Sequence, residues 1–252
     1  MKIKLNFQDK KLEADLSKPI DISLSLNNGT NNVNAYYLPN PEFKTFRAEG
    51  FVGSMNEGGP CNVNNLFLSP HGNGTHTECV GHISKEPYTI NQCLKEFHFI
   101  AQLISVQPRP LPNTDRVIIL DEIKEKFIPD NEIKALVIRT LPNDDFKKTK
   151  NYSGKNAPYL HSSAAKLIAD SGIEHLLLDL PSVDKENDGG VLAAHHEFWK
   201  YPAATRVNCS ITELIYVPGN IADGIYLLNI QIASLESDAS PSKILLFELK
   251  QK

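Results

Sequence analysis

The chain alternates short apolar runs with polar connections marked by glycine and proline, and most of the runs have the length of a strand. Residues 2–7 and 11–16 read as two strands joined by a turn at Gln8-Asp9-Lys10. Residues 19–26 alternate apolar and polar side chains, as a half-buried strand does. Further strands are predicted at 63–68, 99–106, 116–120, 135–140, 175–180, 212–217, 224–235 and 243–249. Helices are fewer and shorter. The pattern predicts them near 91–97, 122–127, 164–171 and 191–200, the third capped by Ser162 or Ser163 and closed by Gly172. Many strands with few short helices predict a mixed α+β domain. With no repeat and no low-complexity segment, residues 1–252 read as a single domain.

Composition narrows this reading. A chain of 252 residues can bury a sizeable core. Hydrophobic content of 41% and charged content of 22% are ordinary for a soluble globular protein. A net charge of −4 with no basic block argues against nucleic acid and anionic membrane surfaces as partners. The first residues carry no apolar signal-peptide core, and no apolar run approaches the roughly 20 residues that span a bilayer. The cysteines at 61, 79, 93 and 209 form no CxxC pair and read as reduced thiols of a cytoplasmic protein.

The chemistry concentrates between Ser69 and His82. This stretch holds His71, His76 and His82, three of the eight histidines, together with Glu78. Imidazole and carboxylate suit Zn²⁺, Mn²⁺ or Fe²⁺. His76 and Glu78 lie two apart in an extended segment and can face one ion. A turn through Gly72-Asn73-Gly74 can bring His71 to it. His82 reads as a ligand or as a base beside the ion. Cys79 is a weaker ligand candidate.

A second cluster, His195-His196-Glu197, falls on a predicted helix. Neighbouring helical positions point about 100° apart, so one histidine can face the site and the other turns away. By itself the cluster reads best as a solvated helix face. Glu213 lies in an apolar run, where an unpaired buried charge is costly. It is paired, exposed by strand alternation, or bound to metal. Tyr36 and Tyr37, in a proline-punctuated segment, are either packed loop residues or one wall of a substrate pocket. If the donors converge, hydrolysis of an amide-like bond is the natural reaction. No G-x-S-x-G elbow, P-loop or dinucleotide fingerprint offers another chemistry.

Gly74-Thr75-His76-Thr77-Glu78-Cys79-Val80-Gly81-His82 resembles the H-x-G-T-H-x-D-x-x-x-H signature of the cyclase-like metal hydrolases, which include bacterial-type kynurenine formamidase and isatin hydrolase. Asp21-Ile22-Ser23, Leu178 to Asp184, Ala194-His195-His196 and Asp238-Ala239-Ser240-Pro241 resemble its other motifs, in order. The resemblance implies a swivelling β/β/α core and a homodimer or larger assembly. It implies one or two Zn²⁺ or Mn²⁺ ions held by His71, His76, Glu78, His195 and Glu213. His82 would be the general acid/base, and the substrate a small aryl formamide or lactam flanked by Tyr36 and Tyr37. The rival expectation is a relative that binds a small molecule or metal without hydrolysis.

The resemblance departs at two ligand positions. Gly72 stands where the family has its first histidine, with His71 one residue earlier, and Glu78 replaces an aspartate. His71 can bind only if the extra residue is looped out. Residues 198–205 are additional sequence between His195 and Glu213.

Overall fold

The computed structural model describes residues 1–251. Its centre is a sheet of eight strands: β1 (Ile20–Asp21), β2 (His76–Glu78), β3 (His98–Val106), β4 (Ala135–Thr140), β5 (His175–Leu178), β6 (Ser210–Glu213), β7 (Gly224–Ile232) and β8 (Ala239–Glu248). The order is β7-β3-β4-β5-β6-β2-β8-β1, and β7 also pairs with β8. Seven strands therefore close into a barrel-like ring with β1 on its rim. Strands β3 to β6 run parallel, and β2, β7 and β8 join antiparallel.

The parallel strands are apolar throughout because both of their faces are covered. In β4, Ala135 and Val137 face the interior of the ring with Leu103, Leu177, Leu228 and Leu246. Leu136 and Ile138 face outward, where Ala164, Ala165 and Ile168 pack over them. Those three residues lie on the apolar face of α4 (Ser162–Asp170), which packs against α5 (Ala193–Trp199). The other α-helices among the described residues are α1 (Pro70–Asn73), α2 (Ile90–Cys93) and α3 (Leu120–Lys126). The strands at 2–7 and 10–15 form the expected hairpin outside the ring. No helix among the described residues is long and apolar enough to cross a membrane.

Several boundaries differ from the sequence pattern, each for a local reason. Of residues 19–26 only Ile20–Asp21 is strand, because Ser23 leaves the ladder to hydrogen-bond Ile244. The strand expected at 212–217 ends at Glu213, since Leu214 takes φ of 55° and its N–H donates to Leu180 O. The expected strand at 63–68 is Asn64–Phe67, paired with Glu42–Thr45 away from the ring. A one-turn helix, α1, then intervenes before the histidine stretch, with Pro70 in its first turn. The side chain of His161, not a serine, caps α4 by accepting from Ser163 N–H.

Candidate metal centre

The ring brings the two distant clusters together by register. Glu213 at the end of β6 lies opposite His76 of β2, and Ile211 opposite Glu78. Directly paired residues project to the same face, so Glu213 and His76 share one side. Helix α5 carries His195 onto that side, and its one-residue neighbour His196 turns away to bond Tyr201 O through Nδ1 at 2.9 Å.

Glu78 is the hub. Oε1 lies 3.1 Å from His195 Nε2, and Oε2 lies 3.2 Å from His71 Nδ1 and 3.8 Å from His82 Nδ1. Glu213 stands beside them, Oε2 at 3.4 Å from His76 Nε2 and Oε1 at 4.0 Å from His195 Nε2. His71, His76 and Glu78 each offer one ligand atom within 4.8 Å of the other two, and Glu78, His82 and His195 form a second such group. The ligand candidates from the sequence thus converge. Cys79 is the exception: its thiol packs by Tyr88 O and belongs to no such group among the described residues.

The donor set fits a cation. His76 Nδ1–H can donate to Gly74 O at 3.0 Å, which leaves Nε2 as a bare lone pair. That lone pair faces a carboxylate oxygen of Glu213, and two acceptors in a buried site repel each other unless a proton or cation lies between them. His76 Nε2 and Glu78 Oε2 are both buried and without a hydrogen-bond partner of acceptable geometry. Buried polar atoms in this condition are rare, and a missing ion is a standard reason for them.

Position 72 explains why the histidine stands one residue early. A Cβ there would come within 2.6 Å of Leu38 Cδ1 and 2.9 Å of Ala35 O, so any side chain forces its neighbours to shift. The turn of α1 instead projects His71 inward. The extra residue is absorbed by helix rather than by a loose loop.

Electrostatics reflect the crowding. Burial works against the charged Glu78, yet His82, His195 and His71 outweigh it and hold the carboxyl well below its usual range. Burial likewise opposes the His195 imidazolium, but Asp184, Glu78 and Glu213 raise it to about 10. His71 also rises to about 10, against burial, through Asp238 and Glu78. In the metal-free protein protons stand in for the cation.

Two carboxylates were not singled out from the sequence as site residues, although both lie in the family-like motifs. Asp184 Oδ2 lies 2.7 Å from His195 Nδ1, and Asp238 Oδ2 lies 2.9 Å from His71 Nε2. The centre opens into a cavity of about 470 Å³ lined by Leu38, Leu68, His71, His82, Lys185 and Leu192, among others. Tyr36 lines it too, with its hydroxyl donating to Pro181 O at 3.0 Å. Tyr37 is 78% exposed and lines a neighbouring cavity that shares Tyr36, Lys185 and Glu186.

A family model, Cyclase, matches residues 15–185, more than half of the chain. The chain belongs to the cyclase family. Among its relatives, kynurenine formamidase of Bacillus anthracis is 28% identical over 226 residues, covering 89% of this chain and 95% of that protein. Solved cyclase-like folds superpose over most of the chain. A structure described as a potential metal-dependent hydrolase with cyclase activity gives a TM-score of 0.66 at 17% identity, covering 91% of this chain and 97% of the other. An isatin hydrolase bound to the product analogue thioisatinate gives 0.60 at 17% identity, covering 93% of each chain.

Proposed function

We propose that this cyclase-family chain is a metal-dependent hydrolase of a small amide or cyclic amide. The observation that carries the reading is Glu78, whose two oxygens face His71 on one side and His195 on the other, both of which line the cavity. His76 and Glu213 complete a set of donors able to hold one or two divalent ions, with Zn²⁺ or Mn²⁺ as the natural choices. Such an ion supplies Lewis acidity, lowering the pKa of water and polarising an amide carbonyl.

The chain's own residues do the rest. His82 lines the cavity next to Glu78 and is the one histidine of the stretch left over for proton transfer. It takes the proton of the attacking water and returns it to the departing nitrogen. Leu38, Leu68 and Leu192 give the cavity apolar walls that suit an aromatic ring, with Tyr36 at its side. The formamidase and isatin hydrolase relatives support aryl formamides and lactams as the substrate class.

The test is turnover of formanilide, N-formylkynurenine and isatin by chelator-stripped protein before and after Zn²⁺ or Mn²⁺ is restored. Hydrolysis of at least one of them only in the restored protein is expected. Reloaded protein that leaves all three intact counts against the substrate class, and equal turnover without metal counts against the mechanism.

A further inference from the structure

One side chain at the centre is tied to both kinds of histidine the proposed reaction needs. Asp238 Oδ2 lies 2.9 Å from His71 Nε2 and 3.2 Å from His82 Nδ1. The two imidazoles lie nearly alongside each other, with ring centroids 4.3 Å apart and planes tilted by 30°. Asp238 itself is fixed at both ends. Ser237 Oγ donates to its other oxygen at 3.1 Å, and its backbone carbonyl accepts from Cys79 N–H at 3.0 Å. It sits one residue before β8, whose first residue Ala239 pairs with Glu78. The carboxylate is therefore anchored to the strand that carries the hub of the centre.

An ionised carboxylate only accepts, so each imidazole must present N–H to it. For His71 this fixes Nε2–H, so the nitrogen that would give up its proton to a bound cation is Nδ1, 3.2 Å from Glu78 Oε2 and aimed at the centre. For His82 it fixes Nδ1–H, so in the neutral ring Nε2 is the nitrogen with the lone pair. Among the described residues no group hydrogen-bonds His82 Nε2.

We propose that Asp238 is a positioning residue that sets the tautomer of both His71 and His82. One oxygen thereby points a lone pair of His71 at the metal and a lone pair of His82 at the substrate cavity. This rests on the hydrolase reading for its consequence in turnover, but not for its consequence in tautomer.

The experiment uses zinc-loaded full chain with ¹⁵N-labelled histidine, comparing wild type with Asp238→Ala and Asp238→Asn. Two-bond ¹H–¹⁵N spectra report which nitrogen of His82 carries the proton. Wild type should show His82 as the Nδ1–H tautomer, and Asp238→Ala should lose it. Asp238→Asn, close to isosteric, still offers an oxygen acceptor and should retain it in part. On formanilide, kcat should fall about 10- to 100-fold in Asp238→Ala with KM little changed, and zinc affinity should fall over a similar range, as for other groups that orient a ligand. An Nε2–H tautomer of His82 in wild type overturns the proposal, whatever the chain hydrolyses. So does an Asp238→Ala protein with the wild-type tautomer. If the tautomers behave as stated and wild type leaves amides intact, the positioning role stands and the hydrolase reading fails.

Discussion

Asp184 Oδ2 accepts two hydrogen bonds from His195, one from the backbone N–H at 3.1 Å and one from ring Nδ1 at 2.7 Å. Its Oδ1 accepts from Ala194 N–H at 2.8 Å. One carboxylate thus satisfies the first turn of α5 and orients the imidazole that the helix carries, leaving Nε2 toward Glu78. Trp199 stacks on the same ring one turn later, with centroids 5.4 Å apart. Asp184→Asn should keep the helix cap in part but lose the charge that locks the tautomer. Metal affinity, measured by competition with a chelator, is expected to fall about 10- to 100-fold. Unchanged affinity would mean that packing against Trp199 suffices to place His195.

Gly72→Ala tests why the first histidine of the stretch stands at position 71 rather than 72. The added Cβ meets backbone at Ala35 O as well as the flexible end of Leu38, so part of the strain cannot be relieved by a rotamer change. A loss of about 1–3 kcal/mol of stability is expected, read from denaturant unfolding. Metal affinity should drop with it, because the strain falls on the turn that projects His71. A variant as stable as wild type would contradict the packing explanation.

The metal-free protein has a predictable pH dependence. His71 and His195 both have folded pKa values of about 10, raised from the ordinary 6.5 by carboxylates that overcome burial. The folded state then binds more protons than the unfolded state between those values. This stabilisation is complete below pH 6.5 and is lost as pH rises toward 10. Thermal melts of stripped protein should therefore drop between pH 7 and pH 10. A bound cation must displace those protons, so calorimetry in buffers of different ionisation enthalpy should report proton release on Zn²⁺ binding. Melts that rise over this range, or binding without proton release, would contradict the assigned charge states.

Sequence alone revealed those parts of the centre that depend on local spacing. His76 and Glu78 alternate on one strand and could be paired by spacing, whereas the apolar run around Glu213 left three readings open and the resemblance alone made it a ligand position. The parallel strands were visible because burial on both faces leaves a run such as Ala135-Leu136-Val137-Ile138 without a polar position. Asp184 and Asp238 carried no such local signal as site residues. Their partners His195, His71 and His82 lie 11, 167 and 156 residues away, and only the closed ring brings the latter pair to Asp238. The end of β6 was also hidden, because Leu214 adopts a left-handed conformation that no glycine announces. Tyr36 and Tyr37 look alike in sequence, yet Tyr36 lines the cavity at the centre and Tyr37 lines only the neighbouring one.

If Glu78 lies at the heart of a divalent metal centre, protein loaded with Zn²⁺ or Mn²⁺ and passed through gel filtration carries the ion with it, and elemental analysis of wild type and Glu78→Gln reads this. Wild type should retain one or two ions per chain. The variant keeps the shape of the side chain but not its charge, and should retain far less. Wild-type protein that emerges without metal, or a variant that holds as much as wild type, would rule out Glu78 as the hub of a metal centre.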